Sequence, residues 1–422
     1  MFGNQDVSRL FSLRGADMTT DGADRNIRLY PWFKFAQNLI FWQAIWFLFF
    51  QNTLSAAEAV MLYAIYDLAT TALEVPSGYL SDRLGRRLTL TVSAAFGAVA
   101  CGLIALGSGF VIFAAAQICL GASAAFASGT DSALLYESLE ASGRADQIEA
   151  EELRAWRFTF AALAISAASG GLLAMWVPVL PFIGGALAFA AALIIALRFA
   201  EPDHEPESGA AAHVPVFAAL RRAFAHPVLI WLFVISLLMY SFSHIPYVFG
   251  QPFINEALEA RGLQQDAPLV SGIVSSVMMI ISVIASVYAG RLRDRIGLAP
   301  IVLLAFAMQI ALAGVLAMTN TLIAIGFLFL RMVPDSISRP FVIARIQPLL
   351  SDTVRATYLS LMSFFGRLLF SGSLFLAAAV IPGDGAMAYA DLRWVLAAYT
   401  GAGLICLTLL ALAAQRIKID GS

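Results

Sequence analysis

Charge is what this sequence has least of. Asp, Glu, Lys and Arg supply 13% of its 422 residues, against about 25% in soluble domains. Hydrophobic residues make up 60%, and the mean hydropathy is +0.80. Such a chain is not an ordinary soluble domain, because apolar runs of about 20 residues read as membrane-spanning helices. Cysteine is rare too: Cys101, Cys119 and Cys406 lie apart in apolar runs, which excludes a disulfide framework or a thiolate metal set. Of four histidines only His244 falls in an apolar run, too few for the His/Asp/Glu cluster of a membrane-face enzyme. No nucleotide-binding motif is present, which excludes direct ATP coupling. With a net charge of −2 and no large basic cluster, nucleic acid is not expected as a partner. The first 28 residues are polar with no apolar core, so a cleaved signal peptide is not expected.

What is present is a repeat. Gly78-Tyr79-Leu80-Ser81-Asp82-Arg83-Leu84-Gly85-Arg86-Arg87 is echoed by Gly290-Arg291-Leu292-Arg293-Asp294-Arg295-Ile296-Gly297, each copy fitting G-x-L-x-D-R-x-G at the end of a long apolar run. The offset of 212 residues is half the chain, which makes the protein two copies of one membrane unit. Spans are expected at 30–53, 57–81, 88–106, 110–139, 155–176, 178–198, 227–256, 267–290, 299–318, 321–349, 357–381 and 392–414. The fold class is therefore an all-α membrane protein of twelve transmembrane helices in two six-helix bundles related by a pseudo-two-fold axis. Residues 1–199 form the first bundle and 227–422 the second. Residues 200–226, with Pro202, Pro206, Pro215 and several acids, form a linker ending in a short amphipathic stretch, Val216 to His226. Twenty Lys and Arg fall on the side of the termini and linker, against Arg261 and Arg393 on the other. That bias puts both termini in the cytoplasm.

The duplicated motif resembles the loop between helices 2 and 3 of the major facilitator superfamily and its degenerate echo between helices 8 and 9. The resemblance covers essentially the whole chain. It implies a transporter working by alternating access, with a small-molecule substrate, the lipid bilayer of a bacterial inner membrane around it, a monomeric state and no cofactor or metal. It also implies an inner gate built from Gly78, Asp82, Arg83, Gly85 and Arg86, with Glu137 as the acid that Arg86 bridges to Asp82, and Gly290, Asp294, Arg295 and Gly297 as the second copy. The glycines at 78 and 290 would let helices approach closely. Asp82 and Asp294 would meet the positive end of a helix of the other half, such as the one starting near Asp352 or Thr357. Ser128-Gly129-Thr130-Asp131-Ser132-Ala133-Leu134-Leu135-Tyr136-Glu137 and Arg355-Ala356-Thr357-Tyr358-Leu359-Ser360 look like segments of a bacterial subgroup labelled drug efflux. Two antiporter hallmarks are degraded: Gln117 stands where helix 4 often carries Arg, and Ser166-Ala167-Ala168-Ser169-Gly170-Gly171 lacks the usual proline. Efflux is the first expectation; uptake of an anionic or aromatic metabolite such as a vitamin is the alternative.

Charges inside spans cost roughly 2.5–3.5 kcal/mol each near the bilayer centre, so Lys34, Asp67, Glu74, Asp131, Arg331, Asp335, Arg339 and Arg367 must pair, snorkel or face water. Lys34, near the inner end of span 1, is expected to snorkel; Glu74 and Arg367 are expected beside the gate. Asp131, in the most polar stretch of any span, and Asp67 are the proton-coupling candidates. Superfamily helices 1, 4, 7 and 10 line the cavity. On that basis Asn38 and Trp42, then Tyr240, His244, Tyr247 and Gln251 on one face of span 7, and Arg331, Asp335 and Arg339 on one face of span 10 are the cavity candidates. Arg331 with Asp335 would form an ion pair, and Arg339 would then suit an anionic substrate. Pro246 and Pro252 invite a break in span 7.

Overall fold

The computed structural model describes residues 20–202, 221, 224–350, 352–381, 387–417 and 419. Among them no residue is in a strand. This follows from the solvent: lipid offers backbone N–H and C=O groups no partners, so each passage must satisfy its own, and the helix does so within one segment. The first half contains α1 (Thr20–Gln37, resuming as Trp46–Gln51 after a 3-10 turn at Phe41–Ala44), α2 (Ala56–Leu84), α3 (Arg86–Leu106), α4 (Phe110–Ala127 and Thr130–Ala141), α5 (Ile148–Trp176) and α6 (Leu180–Arg198). The second contains α7 (Pro227–Glu259), α8 (Ala267–Ile296), α9 (Leu298–Met318), α10 (Leu322–Leu328 and Val333–Ile346), α11 (Asp352–Val380) and α12 (Tyr389–Ala414). The segment Val216 to His226 falls largely outside the described residues.

Among the described residues twelve helical passages match the twelve expected, and their packing repeats. In the first half α1 packs on α5, α2 on α4, and α3 on α4 and α6; six helices later α7 packs on α11, α8 on α10, and α9 on α10 and α12. The halves join through α2 with α11, α5 with α8, and the second segment of α1, Trp46–Gln51, with α7. Small residues set the α5–α8 crossing: a side chain on Gly171 would strike the Pro268 carbonyl, and one on Gly272 the Ala167 carbonyl.

The continuity of the helices differs from expectation. The α7 helix runs unbroken through Pro246 and Pro252, both buried. The interruptions fall instead in α1, α4 and α10, none of them at a proline: at 38–45, at Ser128–Gly129 with Gly129 at φ 76, and at 329–332. Among the described residues ten stretches are long and apolar enough to cross a membrane, and α1 and α10 are the two passages missing from that set.

The break in α1 is held by a residue 208 positions away. Gln251 of α7 accepts a hydrogen bond from the Phe47 N–H at 2.9 Å and donates to the Gln43 carbonyl at 2.8 Å. One side-chain amide thus replaces two groups of the interrupted ladder. The Phe41 carbonyl sits where a side chain on Gly170 would be. This is the packing role of the paired glycines on α5.

Candidate functional site

A cavity of about 400 Å³ lies where the breaks of α1 and α4 meet. Its polar wall holds Lys34, Gln37 and Asn38 from α1 with Gln117, Ser123, Ser128 and Asp131 from α4; its aromatic wall holds Trp42, Trp46, Tyr63, Tyr66, Phe189 and Tyr247. Lys34 Nζ lies 2.6 Å from Asp131 Oδ2. This corrects the expectation that Lys34 snorkels. Its partner comes from α4, 97 positions along the chain, so Lys34 is held by a carboxylate on a neighbouring helix. Asp131 occupies the first turn of the second α4 segment and accepts the Ser132 N–H at 2.8 Å, a position where the helix end favours negative charge.

Of the residues proposed from sequence, Asn38, Trp42, Asp131 and Tyr247 come together at this cavity. Lys34, Gln37, Tyr63, Tyr66 and Gln117 join them. Gln117, which stands where antiporters often carry arginine, lines the cavity, and its side chain has no hydrogen-bond partner among the described residues.

The other candidates lie elsewhere. Gln251 holds the α1 break. Tyr240 and His244 stack on each other with ring centres 4.3 Å apart, and His244 Nδ1 is 2.7 Å from the Tyr240 carbonyl oxygen. Asp335 accepts from Gln309 Nε2 at 3.2 Å, while Arg331 lies 5.0 Å over the Tyr247 ring and 3.1 Å from Met278 Sδ. The expected Arg331–Asp335 pair is therefore absent. The i, i+4 spacing presumes one helix, and α10 is interrupted at 329–332, between Leu328 and Val333. Arg339 is exposed and does not line the cavity.

Asp67 is not in the cavity wall either. It is 1% exposed at the junction of the halves. Arg367 Nη1 of α11 meets its Oδ1 at 3.1 Å, the Tyr240 hydroxyl donates to Oδ1 at 3.0 Å, and Ser371 donates to Oδ2 at 3.2 Å. Arg367 thus belongs to this cross-half cluster and not to the gate motif.

At the motif, Arg86 donates to Asp82 Oδ1 at 2.6 Å, to Ser81 Oγ at 2.8 Å and to Glu137 Oε1 at 2.9 Å. It bridges α2 to α4. Asp82 is largely exposed at this bridge. Gly85 has φ 99, which disfavours any side chain, and a Cβ there would overlap the Glu201 carboxylate. Glu201 accepts the Arg86 and Arg87 N–H groups at 2.5 and 3.0 Å and so caps the start of α3. Burial pushes its carboxyl up, against the two amides that favour its charged form. In the second copy Gly297 has φ 89, but Leu298 stands where the first copy has Arg86, and among the described residues Asp294 pairs with its neighbour Arg293 at 3.2 Å. Arg295 follows on the same exposed turn. Gly78 and Gly290 are corrected as contact sites: among the described residues nothing lies within 4 Å of a Cβ at either.

A family model described as Major Facilitator Superfamily matches residues 32–373. No curated protein sequence matches the chain. The fold is similar to that of a single-site variant of the nucleoside transporter NupG (TM-score 0.76, 14% identity, covering 92% of this chain and 99% of that one). It is also similar to a bacterial homologue of the human lysosomal transporter Spinster in an inward-facing, occupied form (0.69, 14%, 96% and 99%). A third similar structure is the POT family transporter PepTSo (0.71, 10%, 93% and 98%). The chain belongs to the Major Facilitator Superfamily; it is a multi-pass membrane transporter and not an enzyme.

Proposed function

We propose that this transporter moves a small organic solute outward across a bacterial inner membrane, driven by protons, with both termini in the cytoplasm and the chain working as a monomer. The Lys34–Asp131 pair on the cavity wall carries the reading. A carboxylate in that position can exchange its lysine for a proton. Protonation removes the charge that holds Lys34 and changes the electrostatics of the wall the solute touches, so that proton and solute occupancy become linked. Alternation would separate Gln251 from the α1 break on one side and bring the Asp82–Arg86–Glu137 bridge toward the other half on the other. The excess of Lys and Arg on the side of the termini supports the orientation.

Direction rests on the resemblance of the segments around Asp131 and Thr357 to efflux proteins. Gln117, an uncharged residue where antiporters often carry arginine, favours uptake as the second reading. Reconstituted vesicles of known orientation decide both points. Asp131→Asn is expected to lose accumulation driven by a pH gradient while retaining solute exchange. Full gradient-driven accumulation by this variant would remove Asp131 from coupling, and accumulation only in the import orientation would reverse the direction.

A further inference from the structure

The cavity wall has a chemical signature of its own. Lys34 and Asp131 are its two ionised lining residues, and they neutralise each other at 2.6 Å. Arg331 lies behind the wall, 5.0 Å over the face of Tyr247, and Arg339 lies outside it. An anionic solute would thus find no cation free of a carboxylate. A cationic one would find Asp131, the one acidic residue among the described lining, already held by Lys34, and the Tyr247 ring already engaged by a guanidinium.

The rest of the wall is flat and amide-rich. Trp46 stacks with Tyr247 at 5.9 Å and 22° and lies 5.3 Å from Tyr63, itself 5.7 Å from Tyr66. Trp42, backed by Phe189 at 6.1 Å, forms a second ring surface. Among these rings the Gln117 amide faces the cavity with no hydrogen-bond partner among the described residues, and Asn38 gives its N–H to the Lys34 carbonyl, leaving its own carbonyl oxygen. A carboxamide both donates and accepts, which matches ring edges that carry both functions.

We propose that the cavity takes an uncharged, planar heteroaromatic solute whose edge bears hydrogen-bond donors and acceptors, with Gln117 as the residue that reads that edge. This rests on the reading of the cavity as the transport site. Adenosine, uridine and nicotinamide serve as uncharged probes. Adenosine 5′-monophosphate and nicotinate serve as anionic counterparts, 1-methylnicotinamide as the cationic one and ribose as the ringless control. In the detergent-purified full chain, at least one uncharged probe should quench tryptophan fluorescence and raise the melting temperature. Its charged counterpart should bind at least tenfold more weakly, and Gln117→Leu should lose at least tenfold in affinity for the uncharged probe. Tighter binding of the charged probes, or no response to any uncharged probe, overturns the proposal. Gln117→Cys in a chain with Cys101, Cys119 and Cys406 replaced by Ala separates this failure from that of the site itself. Modification by a small maleimide, blocked by the uncharged probe alone, supports both. Modification that no uncharged probe blocks refutes the solute class and leaves the cavity open to another, whereas no modification refutes the cavity as well.

Discussion

Removing Arg367 should be among the most damaging single changes in this protein, and the cost can be worked from its surroundings. Arg367→Gln would leave Asp67, 1% exposed, with only the Tyr240 and Ser371 hydroxyls as donors. Breaking a buried ion pair from one side costs about 3–5 kcal/mol, because the remaining charge has neither water nor a counter-ion. Those donors persist, so the lower end of that range, about 3 kcal/mol, is expected. Removing both charges strands nothing, and Asp67→Asn with Arg367→Gln should cost about 1 kcal/mol, the value of an ordinary hydrogen bond. Since the cluster joins α2 to α7 and α11, the loss should appear as separation of the halves. The assay is equilibrium unfolding in mixed detergent micelles on all three proteins, with proteolysis between the halves as the second readout. If the single variant is no less stable than the double, the buried-pair reasoning is wrong and the cluster is solvated in the membrane.

Two further changes test local structure. Gly85→Ala forces a side chain into φ 99 and against the Glu201 carboxylate; a loss of about 1–3 kcal/mol is expected, read as a lower melting temperature, and a wild-type value would mean that the turn relaxes freely. Gln251→Ala removes both hydrogen bonds that hold the α1 break and should cost about 1–3 kcal/mol, with faster hydrogen exchange at Phe47 as the specific sign; unchanged exchange there would show that the break is held by packing alone.

The number and order of the helices were legible because each needs only a local apolar run. The break in α1 was not legible, because its cause is remote. The α1 interruption depends on Gln251 in the other half of the chain, whereas Pro246 and Pro252, the local signals for a break, sit inside a continuous helix whose neighbours tolerate them. The Arg331–Asp335 pairing presumes an unbroken helix, and the snorkelling of Lys34 overlooks Asp131, a partner 97 positions away in α4. Asp131, Asn38, Trp42 and Tyr247 could be placed because they combine a polar or aromatic group with a superfamily cavity helix. Gln117 carried a signal as well, a polar residue in an apolar run, but attention to the missing arginine hid it.

The cavity is unevenly shared. Among its described lining residues Tyr247 is the single contribution from the second half, although the two halves are repeats of one unit. A solute held there would be cargo in a cradle belonging to the first half, with the second half acting as a door that swings across it. Divergence after the duplication would then be free to run in two directions. Changes in the first half would alter what is carried, and changes in the second would alter how often the door opens.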